Sequence, residues 1–128
     1  MTYSFTFYWN AQRDDQGPLV GFLDGYRPGH KLEIAYRGFV KIHEEHKTRV
    51  QSDLFTVADV LFAIFNEDGR RPSSYRGPSM SVGNVIEIQG LCLAVASVGF
   101  ESVEIWESEI TSCDPRWIAS AYQQEPLE

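Results

Sequence analysis

His43 and His46 lie three residues apart in "HEEH", with Glu44 and Glu45 between them. On one face of a helix, two imidazoles at that spacing can share a metal ion. His30 is the only other histidine in the chain. The zinc-protease pattern needs two histidines four apart with a glutamate beside the first, which this stretch does not provide. A solvated polar turn accounts for it, and no metal or other cofactor is expected. The acidic pairs Asp14-Asp15 and Glu44-Glu45 sit in polar segments, without the burial that general-acid work requires. Cys92 and Cys113 have neither metal-ligand nor redox spacing, and Cys92, inside "LCLAVASV", reads as a small buried hydrophobe. No nucleophile elbow, phosphate loop or dinucleotide fingerprint occurs. No catalytic residue is assigned, and the chain is expected not to be an enzyme.

One junction concentrates hydrogen-bonding and turn-forming residues: "RRPSSYRGPSMSVGNVIEI", residues 70–88. Ser79 and Ser81 are two apart, so in extended chain their hydroxyls share a side and can bond backbone groups nearby. Gly83 frees the backbone where the chain turns, and Asn84 can cap locally. Pinning of the strand start is one reading of these residues. The other is a polar recognition edge made of Arg71, Tyr75, Arg76, Ser79, Ser81 and Asn84, with Arg70, Arg71 and Arg76 as a basic patch.

The elements that must position this junction follow from periodicity. "YSFTFYW" alternates, with Tyr3, Phe5, Phe7 and Trp9 on an inner face. Residues 10–30 carry glycine and proline punctuation and read as a long loop, with a short strand or turn near 19–23. "LEIAYRGFVKI" is a second strand in which Leu32, Ile34, Tyr36, Val40 and Ile42 share a phase, with a kink expected at Gly38. "TVADVLFAIFN" is a helix capped by Thr56, stapled by Phe55 on Val60, and buried along Val57, Val60, Leu61 and Ile64. Asn66 ends it, with Gly69 and Pro72 as further stop signals. "NVIEI" and "LCLAVASV" form a hairpin around Gln89-Gly90, and "FESVEIW" is a further strand. "DPRWIASAYQQ" predicts a C-terminal helix capped by Asp114 with Pro115 at its first position. The expected fold class is α+β: a small, mainly antiparallel sheet with one central and one C-terminal helix on one face. Residues 1–122 make a single domain and 123–128 a frayed tail.

"VLFAIFNEDGRRPSSYRGPSMSVGNVIEI", preceded by "AYRG" and followed by Gly99-Phe100, resembles the YodL-like domain of plasmid, phage and conjugative-element proteins. Phe65, Asn66, Arg71, Pro72, Ser79, Ser81, Val82, Val85 and Ile86 match its pattern, over a resemblance running from about Tyr36 to Phe100. Asn84 stands where that family usually carries aspartate. The resemblance implies a mobile-element context, such as counter-defence or conjugation, and brings no catalytic residue with it.

At 128 residues, 43% hydrophobic and 23% charged, the chain has the size and composition of one globular domain. No apolar run is long enough to span a bilayer and the start has no signal-peptide pattern, so a cytoplasmic location without membrane contact is expected. A net charge of −7 opposes loose binding to phosphate backbones. The expected function is therefore a non-enzymatic protein-interaction module of a bacterial mobile element, with a host or element protein as partner. The alternative is a nucleic-acid-associated accessory protein binding through the patch from Arg70 to Arg76.

Overall fold

The computed structural model describes residues 2–13, 25–41, 53–67, 75 and 79–111. In chain order these form β1 (Thr2–Asn10), β2 (Leu32–Lys41), helix α1 (Asp53–Asn66), β3 (Val85–Ile88), β4 (Leu91–Val95), β5 (Phe100–Val103), a 3-10 turn (Glu107–Glu109) and β6 (Ile110–Thr111). One six-stranded sheet has the order β5-β4-β3-β1-β2-β6. Five strands pair antiparallel, and the two-residue β6 runs parallel to β2. The antiparallel sheet and the central helix agree with the α+β expectation. The expected C-terminal helix lies outside the described residues, as do the "HEEH" segment and the middle of the long loop.

Helix α1 covers one face of the sheet. Phe5 and Phe7 of β1, Tyr36 and Val40 of β2, and Ile86, Ile88 and Leu93 of the hairpin are buried beneath it. From the helix come Val57, Ala58, Leu61, Ile64 and Phe65. The helix begins three residues before Thr56, because Leu54 extends the apolar stripe by a turn and packs against the core. Phe55 therefore lies within the helix and is exposed rather than stapling its start. Val60 is only partly buried, while Ala58 and Phe65 complete the stripe. Phe65 is central: its ring lies 5.1 Å from Phe7, 5.5 Å from Tyr36 and 5.1 Å from Tyr75, each edge-on.

The sheet's other face has a smaller cluster of Tyr8, Leu32, Val85, Cys92 and Ala94, flanked by Tyr26, Ile34, Val103, Ile105 and Ile110. This cluster corrects the reading of β2. The register against β1 shifts between Phe7 and Tyr8, so Phe7 faces Tyr36 while Tyr8 faces Ile34, and Ala35 is the extra residue of a bulge. One inserted residue moves every later side chain to the opposite face. Leu32 and Ile34 consequently join the smaller cluster, while Tyr36 and Val40 join the larger one. The irregularity is at Ala35 and not at Gly38. Gly38 instead makes room for the neighbouring ring, since a Cβ there would lie 3.0 Å from Tyr36 Cε1.

The β3–β4 hairpin turns at Gln89 (φ 50°) and Gly90 (φ 91°). Positive φ at both central residues is the type I′ signature, whose twist matches the flanking strands.

Candidate functional site

The junction is held by Asn66, the last residue of α1. Its Oδ1 accepts from Met80 N at 2.7 Å, and its Nδ2 donates to Met80 O at 2.9 Å. A side-chain amide thus pairs with both backbone groups of one residue, as a residue of a neighbouring strand would. A turn follows, closed by Asn84 N donating to Ser81 O at 3.0 Å, with Gly83 at φ 94° in its third position. Gly83 N then donates to Val95 O, and Val95 N to Asn84 O, which delivers the chain into β3. Asn66 and the backbone thus pin the entry to β3. Ser79 is exposed, and the Ser81 hydroxyl bonds no described residue.

Asn84 is buried and joins the junction to β1. Its Oδ1 accepts from Asn10 N at 3.1 Å. The Asn10 amide donates in turn to Gly83 O at 3.0 Å and to His30 Nδ1 at 3.1 Å, while its Oδ1 accepts from Gln12 N. Arg27 N also donates to His30 Nδ1, at 3.2 Å. Two donors aimed at Nδ1 assign the proton of the neutral ring to Nε2. Asn84 Nδ2 is buried with no acceptor among the described residues. Aspartate at this position would keep the acceptor and remove that orphan donor.

A second polar node closes the smaller face. Glu109 is buried, and its Oε1 accepts from Trp106 N and its Oε2 from Gly29 N, both at 2.6 Å. The Tyr26 hydroxyl lies 2.8 Å from each carboxylate oxygen. Burial, the hydrogen bond to Glu109 and the Glu109 charge all push the Tyr26 phenol well above its ordinary range. On the same face, burial and the Glu87 charge push the Cys92 thiol up to about 11. Burial and then Glu87 also raise the Tyr8 phenol, against an opposing pull from Arg37. Of these groups Tyr26 and Glu109 hold loops, and a raised thiol such as Cys92 is a poor nucleophile at neutral pH.

Two open clefts flank β5, the outermost strand. On the face away from the helix, Tyr26, Pro28, Val103, Glu104 and Trp106 line about 410 Å³. On the helix face, Asp59, Phe62, Ser97 and Phe100 line about 260 Å³, with the Phe62 and Phe100 rings edge-on at 6.3 Å. Trp106 is 60% exposed and Val98, before the strand, 89%. Sequence reasoning passed over Tyr26, Glu109 and Trp106. The strand expected over "FESVEIW" stops at Val103, which leaves Trp106 in the connection beyond it rather than within the strand.

Of the six residues expected to form a recognition edge, Arg71 and Arg76 lie outside the described residues, as does Arg70. Tyr75 is 6% exposed and packs on Phe7 and Phe65, so its ring belongs to the core and not to an exposed edge. Ser79 is at the surface, Ser81 half-buried, and Asn84 is drawn inward to Asn10. No helix among the described residues is long and apolar enough to cross a membrane, and no cluster of metal-ligating side chains occurs among them. No family model matches the chain, and no curated protein or solved structure matches it either.

Proposed function

We propose that the chain is a non-enzymatic protein-interaction module acting in the cytoplasm. The resemblance of its helix-to-strand junction to the YodL-like domain supports a mobile-element setting and a host or element protein as partner. The capping pattern of residues 114–124 supports a second helix in the same domain. One observation carries the reading: Trp106 stands 60% exposed beside an aromatic cleft at the sheet's outer strand. A large indole left in water next to Tyr26 and Pro28 gains most by burial against another surface, and exposed tryptophan is a frequent anchor of interfaces. The Glu109 carboxylate, which accepts from Trp106 N, and the Tyr26 hydroxyl are engaged in holding the loops that shape the cleft.

The test places a photo-reactive phenylalanine at position 107, beside Trp106, in bacterial cells carrying the chain. The expected outcome is a discrete crosslinked protein that disappears when Trp106→Ala is added while the melting temperature holds. Crosslinks indifferent to Trp106→Ala, or a product destroyed by nuclease, would overturn the reading.

A further inference from the structure

The outer edge of β5 carries an inference that rests on the interaction reading and names the partner's chemistry. At the β4–β5 turn, Ala96 N donates to Gly99 O. That bond fixes the phase of the antiparallel ladder: Glu101 and Val103 bond inward to β4, while the N–H and C=O of Phe100 and Ser102 point outward. The outward groups bond no described residue. A sheet edge in this state is a template for one more strand.

Side chains of an added strand would alternate between the two faces. One set would enter the cleft of Tyr26, Val103 and Trp106, the other the cleft of Phe62 and Phe100. Each cleft has an apolar floor and an acidic rim. Glu104 lines the first and Asp59 the second, and Glu101 projects from β5 itself. No lysine or arginine lines either cleft among the described residues. Desolvation already raises the Asp59 carboxyl, a strain that a neighbouring cation would relieve.

We infer that β5 is an acceptor strand, to which an extended basic segment of a partner protein adds through Phe100 and Ser102, filling the two acid-rimmed clefts with alternate side chains. A second copy of the chain is the wrong occupant. Edge-to-edge pairing would bring Glu101, Glu104 and Asp59 of each copy together on chains that each carry −7.

The test uses the whole chain and a labelled peptide alternating leucine and lysine, followed by fluorescence anisotropy. The glutamate-for-lysine peptide is the charge control. Ser102→Pro removes an outward N–H and no ladder bond, so the fold should tolerate it. The expected result is saturable binding of the basic peptide alone, weakened by added salt and roughly tenfold or more by Ser102→Pro, as for loss of edge hydrogen bonds. Glu101→Lys with Glu104→Lys should reverse the preference towards the acidic peptide. Should Ser102→Pro fail to fold, methylating alternate peptide nitrogens of the probe must weaken binding by the same factor with the native chain. Equal binding of both peptides overturns the inference, as does indifference to Ser102→Pro and to methylation. So does a dimer in sedimentation that Ser102→Pro dissolves. If the position-107 crosslink survives Ser102→Pro but not Trp106→Ala, strand addition fails while the interaction module stands. If it survives both, the module itself fails.

Discussion

Asn66 does at the end of α1 what a strand residue does in a sheet: it offers one acceptor and one donor, in register, to the backbone N–H and C=O of Met80. The two bonds fasten the returning chain where Tyr75 and Met80 enter the core. Alanine at position 66 would leave both Met80 groups without those partners. The expected cost is about 1–3 kcal/mol, the scale for two partly buried hydrogen bonds. A urea midpoint for Asn66→Ala equal to that of the native chain would show that water replaces the amide without loss. The serine hydroxyls drew attention in the sequence because serine is a familiar backbone mimic. The asparagine before them was read as a helix stop and a motif match, and not as a partner of Met80, since sequence spacing does not reveal that residues 66 and 80 meet.

Elements were legible wherever one face is apolar and the period is regular. Tyr3, Phe5 and Phe7 alternate without interruption and lie under α1 as alternation requires. Gln89-Gly90 separates two apolar runs and forms the tight turn that spacing implies. Legibility failed at Ala35, because a bulge leaves no mark in composition: Leu32, Ile34, Tyr36 and Val40 keep one alternating apolar phase in the sequence, yet the bulge sends the first two to one face of the sheet and the last two to the other. It failed again at Tyr8, which occupies an outward position on β1 and is buried because the sheet has two clusters. On the helix, Leu61 is fully buried against the sheet. Leu61→Ala is expected to cost about 2–5 kcal/mol. The check is an equilibrium denaturation in which the midpoint falls while the slope against denaturant is kept, and an unshifted midpoint would mean that the helix face is wrongly assigned.

At the scale of the whole molecule the two faces of the sheet differ in chemistry. The helix-covered face is held by interlocking aromatic and aliphatic side chains. The opposite face holds Tyr8, Tyr26 and Cys92, whose acidic protons are all retained more strongly in the fold than in the free side chain. A group with a raised folded pKa binds its proton more tightly in the native state. Its contribution is whole below the unfolded value and is lost as pH rises towards the folded one. For Cys92 that window runs from 9.0 to about 11, and for the two phenols it opens at 10.0. Stability is therefore expected to decline as pH climbs through this range, and the loss should be local at first. Deprotonated Tyr26 would face the Glu109 carboxylate with no hydrogen to share, and the loops carrying Gly29 and Trp106 are tied to that same carboxylate. Hydrogen exchange compared at pH 7 and at about pH 10, after correction for intrinsic rates, should show residues 25–30 and 104–110 losing protection before α1 does. Uniform loss across both faces would mean that the two clusters unfold as one unit and that the smaller one is not the alkaline weak point.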